Sequence, residues 1–158
     1  MRTIATIGVY QSSLGDFLDK LRRHRVAMVV DVRQRRGVRG RVYAWANSLR
    51  LQAELKQAEI RYRHAPELAP TTELRQLQYR EDERLKVGKR SRVELAEAYR
   101  RRYRREILDR VDLGAVLESL PDDAVSALLC VERDAGACHR SLIAARLHER
   151  FGVPVVDL

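Results

Sequence analysis

Ala124-Val125-Ser126-Ala127-Leu128-Leu129-Cys130-Val131, then Glu132-Arg133-Asp134-Ala135-Gly136-Ala137, then Cys138-His139-Arg140 is the stretch on which the reading of this chain turns. An apolar run from Ala124 to Val131, with Ser126 its one polar residue, stops in a polar turn that contains a glycine, and the turn opens an amphipathic segment with Leu142, Ile143, Leu147 and Phe151 at helical spacing. This is a strand feeding a helix. Two thiols, a carboxylate, an imidazole and a guanidinium meet within eleven residues of that crossing, from Cys130 to Arg140. Open α/β sheets hold their ligands at such strand-to-helix crossings.

The same alternation recurs outward from it. Ile4 to Gly8 reads as a short strand, and Ser13 with Asp16 starts a helix whose apolar face is Leu14, Phe17, Leu18 and Leu21. Val26 to Val30 is a second strand, continuous rather than alternating, as expected of a strand covered on both faces in a parallel sheet. It ends in Asp31-Val32-Arg33. A helix is predicted from Trp45 to Ala58 on Leu49, Leu55 and Ala58, and a third strand from Ile60 to His64, ended by Pro66. Residues from about 69 to 92 form a polar excursion with a thin helical pattern from Thr72 to Leu85, placed so that it could move over the site. A long helix is predicted on Val93, Ala96, Tyr99, Tyr103 and Ile107, a short one on Leu113, Val116, Leu117 and Leu120, and a last strand at Val155 to Leu158 after Gly152 and Pro154. The expected architecture is a single α/β domain over residues 1–158, a three-layer, mostly parallel sheet of Rossmann-like or flavodoxin-like type with helices on both faces.

In such a sheet all strand carboxyl ends share one edge, so Tyr10, Asp31, Arg33, His64, Glu67 and the Cys130 to Arg140 turn converge. Asp31 and Glu132 form a carboxylate pair for general acid/base work, and Cys138 and His139 at a helix start are the other catalytic candidates. Tyr10, Arg33, His64, Glu67 and Arg140 are the candidate substrate-binding residues. The plain structural alternatives are an ion-pair network around Asp31 and Glu132, a packed Cys138, a core Cys130 and a surface His64. No metal ligand is assigned, because Cys-x-x-Cys spacing is absent and adjacent residues such as Cys138 and His139 rarely face one ion. No cofactor is named.

The charge balance bears on partners. Lys and Arg number 31 against 22 Asp and Glu, a formal +9, and only four of the 31 are Lys. An arginine excess suits polyanions, since each guanidinium offers a two-donor fork to phosphate, although it also describes a solvated basic surface. Arg36, Arg39 and Arg41 lie in a glycine-containing loop after the second strand, and Arg101, Arg102, Arg104 and Arg105 occupy one helix face. These are the candidate nucleic-acid contacts, whereas Tyr99 and Tyr103 are read as core rather than as a stacking platform. With two cysteines, no export signal and no apolar run long enough to span a bilayer, a cytoplasmic protein without a membrane partner is expected.

Five short motifs, Thr6-Ile7-Gly8, Asp31-Val32-Arg33, Tyr62-Arg63-His64 with Pro66-Glu67-Leu68, Cys130-Val131-Glu132 and Cys138-His139-Arg140, give the chain a resemblance to the bacterial domain of unknown function family 488. It extends from about Thr3 to Leu158. Many members of that family read His-Ser where this chain has Val9-Tyr10, and a glycine where Ala69 stands. Any role of that histidine is here lost or passed to Tyr10, His64 or His139. The resemblance implies an α/β domain and supplies no reaction. From the residues themselves the first expectation is a nucleotide- or nucleic-acid-processing enzyme with a phosphate-binding cleft, cleaving a phosphodiester or N-glycosidic bond. A non-catalytic nucleic-acid-binding module and a small-molecule enzyme using a Cys138 thiolate are the alternatives.

Overall fold

A computed structural model, which describes residues 1–88 and 90–158, contains the strands β1 (Thr3–Ile7), β2 (Val26–Asp31), β3 (Arg61–His64), β4 (Val125–Leu129) and β5 (Val155–Asp157). They form one sheet in the order β3-β2-β4-β1-β5, and every pairing is parallel. The apolar runs explain this: β1, β2 and β4 are buried along nearly their whole length, which requires cover on both faces. The three-layer α/β architecture read from the alternation is therefore the one observed, of the general Rossmann- or flavodoxin-like type. Its strand order differs from the usual doubly wound orders in that β4 enters between β2 and β1.

Right-handed crossovers decide which face each helix covers. The chain moves one way along the sheet from β1 through α1 (Leu14–Arg23) to β2 and through α2 (Ser48–Gln57) to β3. It moves the other way through α3 (Thr72–Arg84), α4 (Glu97–Tyr103) and α5 (Leu113–Glu118) to β4, and again through α6 (His139–Phe151) to β5. Hence α1 and α2 share one face, and α4 packs with α6 on the other. The caps follow the sequence signals. The Ser13 hydroxyl accepts from the Asp16 N–H at the start of α1, and Gly152 ends α6 at φ +67°, a conformation that suits glycine.

Several element details depart from the sequence pattern. The segment from Trp45 is a 3₁₀ turn, Ala44–Ala46, before α2 begins at Ser48, and Leu49 points outward while Leu51 and Leu55 are buried. The four-residue spacing of Leu51 and Leu55 sets the buried face instead. The long helix starts at Glu97 rather than Val93, leaves Val93 exposed, and runs on as a π-helical turn, Arg104–Leu108. Phe151, at the end of α6, is partly exposed rather than inward. Tyr99 and Tyr103 are buried and stack 6.1 Å apart, as core. No helix among the described residues is long and apolar enough to cross a membrane.

Candidate active site

The register draws one row across the sheet, with Ile7 beside Leu129, Leu129 beside Asp31 and Asp31 beside His64. Gly8, Cys130 and Val32 therefore sit just beyond the carboxyl edge. Gly8 is required there by proximity: a Cβ on it would lie 2.0 Å from the Glu132 carbonyl oxygen. Val9 and Tyr10 both donate their backbone N–H to the Val131 carbonyl, at 3.0 and 2.9 Å, and so fasten the end of β1 to the turn after β4.

That turn brings three side chains to one point. Beyond it a 3₁₀ turn, Ala135–Ala137, returns the chain to the sheet edge, Cys138 is the extended residue capping α6, and His139 is the first residue of the helix. The extended backbone of Cys138, at φ −139° and ψ 148°, swings its side chain to the same side as His139. The Cys138 Sγ lies 3.6 Å and the Cys130 Sγ 4.0 Å from His139 Nδ1. His139 Nε2 lies 2.8 Å from the Val32 carbonyl, which only accepts, so Nε2 carries a hydrogen and Nδ1 is the atom presented to the thiols. The Tyr103 ring packs on the imidazole, centroids 5.4 Å apart. The expectation that adjacent Cys138 and His139 do not face one point is thus corrected by the cap geometry. The side-chain atoms of Cys130, Cys138 and His139 all lie within 4.8 Å of one another, a set able to hold a metal ion.

The thiols differ electrostatically. The hydrogen bond it shares with Cys138, full burial and the charge on Cys138 hold Cys130 well above the ordinary thiol range. Burial pushes Cys138 upward too, but the Cys130 hydrogen bond and the charges of His139 and Arg140 outweigh it and hold Cys138 well below that range. Burial likewise acts to lower His139, and the Cys138 charge raises it above its ordinary value. Arg140 follows directly; it is 1 % exposed, donates through Nη2 to the Arg133 carbonyl at 3.0 Å, and its Nε and Nη1 have no hydrogen-bond partner among the described residues.

The two carboxylates expected to act together are separated by their partners. Asp31 is fully buried; its Oδ1 accepts from the backbone N and Nε of Arg33, and its Oδ2 from Arg33 Nη2 at 2.8 Å and the Tyr62 hydroxyl at 2.6 Å. Every face of that carboxylate is taken, and it does not reach the cavity. Arg33 also donates to the Ala46 carbonyl, at 2.8 Å. Glu132 faces the cavity and accepts from Arg92 Nη2 at 2.9 Å. Arg92 donates through Nη1 to Asp82 at 2.6 Å and through Nε and Nη2 to the Ala137 carbonyl.

Beside the cluster lies a cavity of about 480 Å³, walled by the Cys130 to His139 turn, the loop after β2 and the excursion. Tyr10, Arg33, Arg39, Glu132, Cys138 and His139 line it, as does Cys130. Asp31 and Arg140, expected in the same cleft, do not. Nor do His64, whose Nε2 pairs with the Arg33 carbonyl at 3.2 Å, or Glu67, which pairs with Arg63 at the surface. Arg36 donates to the Tyr62 hydroxyl and Arg41 is exposed away from the cavity. Arg101, Arg104 and Arg105 are exposed on another surface, and Arg102 is paired with Glu106 and Glu73.

Sequence reasoning missed Arg35, Arg75, Gln78, Tyr79, Arg90 and Arg92, which also line the cavity. All but Arg35 come from the polar excursion and the segment after it. The excursion is docked rather than loose: Leu74 and Gln78 are buried, Gln78 binds Asp82 and the Ala96 N–H, and the Leu95 N–H donates to the Gly136 carbonyl. Only its arginine content could have suggested a part in the site. Arg90 lies over the rings of both Tyr10 and Tyr43, 5.1 Å from each.

The model of a family described as domain of unknown function DUF488 matches residues 13–147. The chain belongs to this family. No curated protein and no solved structure matches it. Within this DUF488 chain, Val9 and Tyr10 stand where the family resemblance led to His-Ser; Val9 is fully buried, and Tyr10 forms cavity wall.

Proposed function

We propose that this chain is an enzyme that processes a nucleotide or nucleic acid, with the arginine-lined cavity as its phosphate site. The observation that carries the reading is the charge of the cavity wall. Arg33, Arg35, Arg39, Arg75, Arg90 and Arg92 line it against one carboxylate, Glu132. Arg33 and Arg92 are committed to buried ion pairs. Arg35, Arg39, Arg75 and Arg90 have no carboxylate partner among the described residues; Arg75 donates to Gln34 and Tyr79 and Arg90 to the Arg39 carbonyl, neutral acceptors that leave their charge to attract an anion. Guanidinium forks match phosphate oxygens in geometry and charge.

The rest of the wall suits the same ligand. Tyr10, 5.3 Å from Tyr43 and covered by Arg90, gives the cationic wall an aromatic backing, and about 480 Å³ is within the size range of small-ligand sites. Such a cavity takes one nucleotide or one unstacked residue of a strand. Glu132 and the Cys130–Cys138–His139 cluster line the same cavity as the arginines, which supports a reaction beside the anion site. Hydrolysis of a phosphodiester or N-glycosidic bond is the proposed reaction.

The test pairs binding with product analysis. Adenosine monophosphate and a short single-stranded DNA should bind the purified protein, and both should lose at least tenfold in affinity in the Arg35→Ala/Arg39→Ala/Arg90→Ala variant. Chromatography of the labelled strand should show released base or shortened product from the native protein alone. Binding that ignores the triple substitution, or no binding of either probe, overturns the phosphate site.

A further inference from the structure

We propose that Cys130, Cys138 and His139 form a zinc site with three protein ligands and its fourth position turned to the cavity. The distances are those of a coordination sphere. For Zn–S of about 2.3 Å and Zn–N of about 2.0–2.1 Å, a tetrahedral site sets sulfur and nitrogen ligands about 3.6 Å apart. Here the Sγ-to-Nδ1 distances are 3.6 Å for Cys138 and 4.0 Å for Cys130, and all three atoms fall within 4.8 Å of one another. An ion at their centre needs only a small inward shift of the Cys130 side chain.

Three further features point the same way. His139 has the second contact that a ligating histidine ordinarily has: Nε2–H donates to the Val32 carbonyl at 2.8 Å, which fixes the ring and leaves the Nδ1 lone pair toward both sulfurs. The ligands stand on unlike elements, the end of β4 and the start of α6, so the folded sheet edge prearranges them. Arg140 is buried at the next position, with Nε and Nη1 unpartnered among the described residues, and it supplies positive charge and donors beside two thiolates.

The donor set selects the ion. Two thiolates and one imidazole are soft and borderline ligands, which suit Zn²⁺ and disfavour Mg²⁺ or Ca²⁺. Three protein ligands with an open position is also the pattern of reactive zinc sites, whereas structural sites are closed by a fourth protein ligand. All three residues line the cavity, so the open position faces the space that takes the ligand. The zinc site is independent of the phosphate site, and metal alone tests it.

Reduced protein stripped with chelator and dialysed against Zn²⁺ should retain one equivalent per chain by elemental analysis. Replacement with Co²⁺ should give the intense thiolate-to-cobalt charge-transfer bands and tetrahedral ligand-field bands expected of two sulfur ligands. Cys130→Ser and His139→Ala should each lower zinc affinity at least a hundredfold, with circular dichroism establishing that each variant is folded. Should a variant not fold, protection decides: Zn²⁺ should shield both cysteines of the native protein from alkylation and raise its melting temperature. Reduced, folded protein that retains no zinc overturns the site, as does zinc retained undiminished in a folded Cys130→Ser/His139→Ala variant. A Cys130–Cys138 disulfide in unreduced protein supports the site only if reduction restores zinc binding, and overturns it otherwise.

Discussion

The guanidinium of Arg92 bridges Glu132, at 2.9 Å, and Asp82, at 2.6 Å, and so ties the excursion after β3 to the turn after β4. All three side chains are nearly excluded from water, at 7 %, 7 % and 9 % exposure. A buried charge that loses its partner retains its desolvation penalty, and the usual loss is about 3–5 kcal/mol. Arg92→Ala should therefore lower the unfolding free energy by about that amount in urea titrations. Glu132→Gln keeps a polar acceptor and should lose less, about 1.5–3 kcal/mol. An Arg92→Ala midpoint equal to that of the native protein would show that the excursion is held by its apolar contacts alone.

Gly8 gives a second prediction. A methyl group there would meet the Glu132 carbonyl oxygen at 2.0 Å and backbone atoms of Glu132 and Arg133 at 2.9 and 3.1 Å. Backbone cannot yield as the end of a side chain can, so Gly8→Ala should displace the turn that carries Glu132. The expected loss is about 1–3 kcal/mol, as for overpacking elsewhere, together with weaker binding of adenosine monophosphate. Gly15→Ala is the control, because its Cβ would meet nothing closer than the Ser13 hydroxyl at 3.8 Å. Equal stability of the two variants would refute the close approach.

How far the site is legible depends on how local its causes are. The convergence of Gly8, Val32 and Cys130 follows from apolar runs that end at the same level in a parallel sheet, and those ends are visible in the residues. The burial of Asp31 has a local cause too: residues two apart on an extended chain point to the same side, which lets Arg33 grip Asp31. In the sequence Arg33 reads as a substrate-binding residue, with an ion-pair network around Asp31 as the structural alternative, and nothing local announces Tyr62, which arrives from β3 to close the carboxylate. Arg92 and Asp82 lie 40 and 50 residues from Glu132 in a stretch with no clear periodicity, and their meeting depends on how α3 docks. The cysteine and histidine cluster was located by its turn, while its convergence depended on the extended cap conformation of Cys138.

Tyr62 carries a pH prediction. Burial raises its pKa, the Arg36 hydrogen bond opposes this, and the adjacent Asp31 carboxylate raises it further, so the folded value lies above the ordinary 10.0. The folded state then holds this proton more tightly than the unfolded chain. Its contribution is complete below about pH 10 and is lost as pH rises through the folded value. The native protein should lose stability above about pH 10 more steeply than Tyr62→Phe, which has no proton to lose. Parallel urea midpoints for the two proteins across that range would reject the coupling of Tyr62 to Asp31.

The two arginine surfaces make the last prediction, since only one of them adjoins the reactive groups. Arg35 and Arg39 line the cavity without carboxylate partners, whereas Arg101, Arg104 and Arg105 lie exposed on a different part of the molecule. Binding of single-stranded DNA should weaken with salt, with a slope set by about 0.7 for each phosphate neutralised. If the cavity holds the phosphates, Arg35→Ala/Arg39→Ala should lower both affinity and slope, the slope by roughly 0.7 for each contact removed. Substituting Arg101, Arg104 and Arg105 together should then leave adenosine monophosphate binding unchanged, because none of these three side chains lines the cavity. Fluorescence anisotropy at a series of salt concentrations measures both quantities. A slope that falls only in the Arg101/Arg104/Arg105 variant would move nucleic-acid contact to the α4 surface and make the chain a binding module.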